Sequence, residues 1–226
     1  MVRNSVAPFC ISMTLLMVFL VPSTAMAGWN YQKTEDGVEV YERNARYFGE
    51  QTLRAVVEVD APIGQVVTIF TDPEARMDWT YRADEQEVLQ IDGDSDEKWL
   101  ERYWTRIDMP FPVSDRDYLV AKQYELHPEE RKLTARLRSI NDERMPENGC
   151  CVRALSVMRY TLTAIPGEER TRVELIAETD LGGNLSSGRL VRQNASKWPV
   201  GTLRNLAQHA EANGVPVDKR VADWHE

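Results

Sequence analysis

Residues 99–125 read WLERYWTRIDMPFPVSDRDYLVAKQYE, two runs of alternating character joined by a short segment that holds two prolines. Take Trp99–Ile107 and Tyr118–Glu125 as the arms of one antiparallel hairpin turning about Phe111-Pro112. A register in which paired residue numbers sum to about 223 then sets Trp99 against Tyr124, Glu101 against Lys122, Tyr103 against Val120 and Thr105 against Tyr118. Side chains alternate along a strand, so all eight lie on one face. That face is mostly aromatic and apolar, with one acid and one base directly opposed. On a wetted sheet such a pair is a cross-strand contact worth about 0–1 kcal/mol. Inside an apolar cavity the two charges must satisfy each other, and together they present a polar point to a ligand head group. The turn is equally unusual, because Met109, Pro110, Phe111, Pro112 and Val113 are stiff and apolar where water normally selects glycine or asparagine.

Outward from this hairpin the chain is rich in strands. Gln51–Val59 alternates with Leu53, Ala55, Val57 and Val59 on one face, and Val38–Arg43 follows an Asp36-Gly37 turn. Leu133–Ser139, Ser156–Ile165 and Thr171–Thr179 continue the pattern beyond the hairpin. Turn chemistry at Asp92-Gly93, His127–Arg131, Asn141–Gly149 and Pro166-Gly167 separates the strands. Consecutive strands with short connections predict an antiparallel meander. Ala61-Pro62 opens a helix whose apolar face is Ile63, Val66, Val67 and Phe70, and Asp72-Pro73 restarts a short second helix running to Trp79. A long final helix starts at a Ser186 or Ser187 cap and carries Leu190, Val191, Ala195, Trp198, Leu203, Leu206 and Ala210. Pro199 is expected to kink it, and Asn213-Gly214 ends it. The whole is an α+β domain, a curved antiparallel sheet closed by an amphipathic helix.

Residues 1–27 are set apart by composition. Arg3 is their only charge, Cys10–Val21 is apolar, and Ala25-Met26-Ala27 has the small-x-small form of a cleavage site, so they are predicted to be a signal peptide. The apolar run is short for a bilayer span, which needs about 20 residues. Residues 28–226 then form one domain, exported to a periplasm or secreted. Losing Arg3 and no acid takes the net charge from −9 to −10. That sign argues against nucleic acid, whose binding rests on Lys/Arg neutralising phosphate, and against simple electrostatic adhesion to anionic lipid. Cys150 and Cys151 are adjacent, and the geometry a disulfide demands favours two small apolar residues over a strained vicinal bridge.

No metal site or cofactor motif is found. His127, His209 and His225 share no ligand spacing, and none of the nucleophile, zinc-protease or nucleotide signatures occurs. Asp92-x-Asp94-x-Asp96 has the start of a calcium loop, yet Glu97 stands where the turn glycine belongs and Tyr103 where the closing glutamate belongs. The residues therefore read as a binder before an enzyme.

Several stretches resemble one family in the right order. Pro110–Tyr118, with its Arg116-Asp117 pair, resembles the corresponding segment of START (StAR-related lipid transfer) domains, nearest the phosphatidylcholine-transfer branch. Ala61-Pro62, Val66-Val67, Phe70-Thr71-Asp72 and Asp78-Trp79 resemble the family's first helix pair and its tryptophan. Tyr160–Ile165 and Asp180-Leu181-Gly182-Gly183-Asn184 resemble the strands and glycine-rich loop before the last helix. The chain departs from the family at Thr80, at Ser186-Ser187-Gly188 and at Arg192.

The resemblance implies a helix-grip fold: a U-shaped antiparallel sheet wrapped around a long C-terminal helix, with an internal hydrophobic tunnel for one lipid. It implies a monomeric, non-catalytic carrier or sensor that touches membranes transiently and needs no cofactor. It also places a basic residue six positions after the motif arginine, at Lys122, the partner that the hairpin register gives Glu101. Lysine keeps the charge and loses the bidentate fork, which argues against phosphatidylcholine itself. The expected ligand contacts are Glu101, Lys122, Trp99, Tyr103, Tyr118 and Tyr124. The expected gates are the Met109–Val113 loop and Gly182–Gly188, with Arg116, Asp117 and Trp79 structural. The alternative is a helix-grip enzyme, a cyclase or hydrolase that uses Glu101 as acid–base group in the same cavity.

Overall fold

A computed structural model describes residues 28–48, 51–145, 149–183 and 195–225. Its strands are β1 (Asn30–Glu35), β2 (Val38–Asn44), β3 (Gln51–Val59), β4 (Ala83–Ser95), β5 (Lys98–Ile107), β6 (Arg116–His127), β7 (Lys132–Ser139), β8 (Val152–Arg153), β9 (Leu155–Ala164) and β10 (Thr171–Asp180). Its helices are α1 (Ile63–Thr71), α2 (Arg76–Trp79) and α3 (Lys197–Ala210). The ten strands form one sheet in the order β1-β2-β3-β10-β9-β7-β6-β5-β4. Every pairing is antiparallel except that of β8, which lies parallel to the start of β6. The meander from β4 to β10 therefore folds back until β10 meets β3, which joins the two sequence halves of the sheet.

The β5–β6 register is the expected one, with Trp99 opposite Tyr124, Glu101 opposite Lys122, Tyr103 opposite Val120 and Thr105 opposite Tyr118. Helix α1 begins after Pro62, whose carbonyl accepts from Gln65 N–H at 3.0 Å, and it buries Ile63, Val66, Val67 and Phe70. Helix α3 lies against β3, β10 and both short helices, burying Val200, Leu203, Leu206, Ala207 and Ala210. Gly201 is the point of closest approach: a Cβ there would stand 2.5 Å from the Tyr81 ring. This is the helix-grip arrangement of curved sheet and C-terminal helix. Pro199 falls in the first turn of α3, where its missing N–H costs little. The expected serine cap and Leu190 and Val191 lie outside the described residues, as does the predicted signal peptide.

Three strands were not foreseen: the two-residue β8, β1 and β4. β1 is mostly exposed at one edge and carries no alternation. β4, at the other edge, shifts register against β5 at three places, so its hydrophobic period is broken. The turn expected at Asp92-Gly93 comes four residues later, at Asp96-Glu97, because Ser95 Oγ captures Glu97 N–H at 3.3 Å and Lys98 N–H at 3.1 Å.

After α3 the chain returns as a strap. Asp218 N–H donates to Gly64 O at 3.0 Å, and Gly167 N–H donates to His225 O at 3.2 Å. Val221 and Trp224 are buried with the main core, so the strap belongs to the folded unit. A Cβ on Gly64 would stand 2.4 Å from Val217 Cγ1, so a larger residue there would require the Val217 side chain of the strap to shift.

Candidate functional site

The inner face of β5 and β6 carries a polar cluster sealed in the core. Glu101, Lys122 and Arg76 are 2 %, 1 % and 3 % exposed. The pairing expected between Glu101 and Lys122 is not made. Arg76 Nη2 instead donates to both carboxylate oxygens of Glu101, at 2.7 and 2.6 Å, and Tyr124 Oη donates to Glu101 Oε2 at 3.0 Å. A guanidinium forms a directed, charge-assisted contact that an ammonium approaching across the strands does not match. Arg76 also lies over Tyr103, 4.0 Å from its centroid, and donates from Nη1 to Gln86 Oε1 at 3.3 Å. Its Nε has no acceptor among the described residues.

Lys122 points its ammonium among aromatic rings. Nζ stands 3.8 Å from the Phe70 centroid, 4.6 Å from Tyr124, 5.7 Å from Trp79 and 5.8 Å from Tyr160. It has no hydrogen bond or ion pair among the described residues. Burial, and then the Arg76 charge, push the Lys122 amine well below its ordinary range, with Glu101 pulling the other way. Burial also lifts the phenols of this face: Tyr103, beside Arg76, is pushed up to about 12, Tyr160 and Tyr124 beside Lys122 are raised, Tyr124 with help from Glu101, and so is Tyr118, which stands by Arg116 and Asp117. Trp99 stacks on Tyr124 at 4.6 Å, 11° from parallel, and Arg220 of the strap covers its other side at 4.6 Å. Trp79 stacks on Phe70 and donates from Nε1 to Ile69 O at 3.2 Å.

Sequence reasoning missed Arg76, Phe70 and Tyr160 as parts of this cluster. Arg76 had a usable signal, since it precedes Trp79 by three residues and so shares the inward side of a helical turn.

The motif residues at the start of β6 are structural ties. Arg116 Nε donates to Leu181 O at 2.7 Å, and Arg116 also bonds Ser114 O. Asp117 accepts from Trp104 Nε1 at 2.8 Å and pairs with Arg153 of β8 at 2.8 Å. Together they fix β6 to the glycine-rich loop, where Gly182 and Gly183 have φ of +64° and +59°. A Cβ on Gly182 would meet Arg153 O at 3.0 Å. The second expected gate is described only through Gly183.

The Met109–Val113 loop does not roof the interior with Phe111. Val113 N–H donates to Pro110 O at 3.0 Å and Met109 N–H to Asp115 Oδ1 at 3.0 Å, closing a tight turn with Phe111 at its tip. Phe111 is 97 % exposed and Met109 and Val113 are half-buried, so the loop turns its largest apolar group to the outside. Cys150 and Cys151 are also corrected. They form a vicinal disulfide, with Cα atoms 3.8 Å apart, in the loop leading into β8.

Other proteins share this architecture. The START domain model matches residues 19–210, ending at the last residue of α3 and leaving the strap beyond it. The chain belongs to the START domain family. An uncharacterised Pseudomonas aeruginosa protein is 26 % identical over 195 residues, covering 86 % of this chain and 93 % of that one. Mouse phosphatidylcholine transfer protein is 25 % identical over 171 residues, 74 % of this chain and 76 % of its own. Among solved structures, a fragment of a STAR-related lipid transfer protein from Xanthomonas axonopodis superposes with a TM-score of 0.69 at 25 % identity, over 82 % of this chain and 99 % of that one. Human StAR-related lipid transfer protein 5, at 18 % identity and a TM-score of 0.70 over 83 % and 88 % of the two chains, shares the fold.

Proposed function

We propose that this protein binds one lipid or other hydrophobic molecule in its interior and carries or senses it, without catalysis. The observation that carries this reading is the sealed cluster of Arg76, Glu101, Tyr124 and Lys122 on the inner face of the sheet. A buried ion pair is a poor source of stability, since apolar replacements are often as good or better. Polar groups kept at such a cost point to recognition of a ligand's polar end. Family membership and the lipid-transfer relatives support the same reading. The buried carboxylates are already committed: Glu101 to Arg76, Asp117 to Arg153 and Trp104, and Glu178 to backbone N–H groups of Arg46, Tyr47 and Phe48. Groups so engaged serve binding and structure better than proton transfer.

In this reading the mature protein is an exported monomer, freed of residues 1–27, and Phe111 is the point at which it touches a bilayer during loading and release. Native mass spectrometry and organic extraction of the purified protein test the central claim. One lipid per chain, or uptake of one from vesicles, is the expected result. A protein that is empty and stays empty when offered lipid vesicles would refute it.

A further inference from the structure

The interior cluster has more donors than acceptors, and this asymmetry narrows the ligand. Glu101 is the carboxylate of the cluster, and both its oxygens are taken by Arg76, one of them by Tyr124 as well. Among the described residues Lys122 Nζ and Arg76 Nε have no acceptor. The charged groups that act on Lys122 are Arg76 and Glu101, and their charges cancel. A protonated Lys122 therefore leaves the cluster with one uncompensated positive charge, which apolar surroundings strongly disfavour. The rings of Phe70, Tyr124, Trp79 and Tyr160 soften that cost, because aromatic faces attract cations. They also mean that the place where aromatic faces would hold a ligand's ammonium is already filled by the chain itself.

We propose that the ligand is a single-chain or compact amphiphile whose head carries one negative charge, a carboxylate in the simplest case, received by Lys122, and that lipids with a cationic or choline-type head are excluded. This rests on the carrier reading above and names the chemistry of its ligand. A monoanionic head supplies the missing acceptor and brings the cluster of Arg76, Glu101, Lys122 and ligand to neutrality. A hydroxyl head offers an acceptor and no charge. A quaternary ammonium would have to displace Lys122 from its rings and would add a second uncompensated cation beside Arg76. Because burial among these rings holds the Lys122 amine below its ordinary range, binding the anion draws one proton from solvent onto Nζ, where the new ion pair keeps it.

The test compares ligands with one tail and different heads: palmitate, hexadecanol and hexadecyltrimethylammonium, each titrated against the delipidated full-length protein. Palmitate is expected to bind at least about tenfold more tightly than hexadecanol, the scale of one charge-assisted hydrogen bond, and the cation weakest. Titration calorimetry in two buffers of different ionisation heat should show about one proton taken up with palmitate and none with hexadecanol. Lys122→Met should bring palmitate down to the hexadecanol level, while Lys122→Arg keeps the preference and controls for folding. Equal binding of all three heads, or preference for the alcohol or the cation, overturns the head-group inference and leaves the carrier reading standing. Failure of every tail to bind, with uptake from vesicles also absent, overturns both.

Discussion

Arg76 and Lys122 are two basic residues on the same side of the sheet as Glu101, and of the two only Arg76 bonds its carboxylate. Removing Arg76 leaves Glu101 buried with only the Tyr124 hydroxyl, and an uncompensated buried charge typically costs about 3–5 kcal/mol. Arg76→Met should therefore lower unfolding free energy by that order in urea melts. Arg76→Met combined with Glu101→Leu should cost less than Arg76→Met alone, because neither charge then remains. A double-variant loss equal to the sum of the Arg76→Met and Glu101→Leu losses would show that the pair is not energetically coupled. Lys122 makes a different prediction, through pH. Its folded-state pKa is depressed, so between that value and the ordinary value near 10.4 the unfolded chain binds the extra proton. The stability deficit of the wild type relative to Lys122→Met should accordingly shrink as pH rises from about 7 to 9, a range below ordinary tyrosine ionisation. A deficit independent of pH would mean that Lys122 is charged in the folded state throughout.

At the scale of elements, what could be read beforehand follows from which groups alternate and which are bent. β5 and β6 alternate cleanly and are joined by a short stiff turn, so register followed from residue identity alone and brought Glu101 and Lys122 face to face. β4 is an edge strand with bulges, and once a strand slips its period no longer reports which face is buried. The final helix was legible in its apolar face from Val200 to Ala210. Arg76 was hidden because its partner lies 25 residues away on another element, and a helix of four residues offers little periodicity to show which side turns inward. The strap was hidden for a similar reason, since Val221 and Trp224 sit in a segment without regular structure whose destination is set by tertiary contacts. It is nonetheless integral. Trp224→Ala should cost about 3–5 kcal/mol in denaturant melts, the scale of a large-to-small change in a core. A loss within about 0.5 kcal/mol, typical of surface positions, would show the strap to be detachable.

For the whole molecule, the proposed carrier role raises the question of how so acidic a protein would reach a membrane to load. A net charge of −9 gives no attraction to an anionic leaflet, so contact has to come from apolar groups. Among the described residues Phe111 is the most exposed of the large hydrophobic side chains, presented at the tip of a turn that Asp115 and Pro110 hold closed. Burying a phenylalanine is worth about 1.5–3 kcal/mol, enough to change membrane partition roughly tenfold to a hundredfold. Phe111→Asp removes that contribution and adds a like charge at the approach point. It should slow transfer of a bound fluorescent lipid analogue between neutral vesicles by about tenfold or more. Unfolding free energy should move by less than about 0.5 kcal/mol, since nothing packs on the ring. The wild-type rate should not rise when anionic lipid is added to the acceptor vesicles. A variant that transfers as fast as the wild type would place the membrane contact elsewhere on the molecule. A rate that climbs with anionic lipid would mean that a local basic patch, rather than an apolar tip, governs approach.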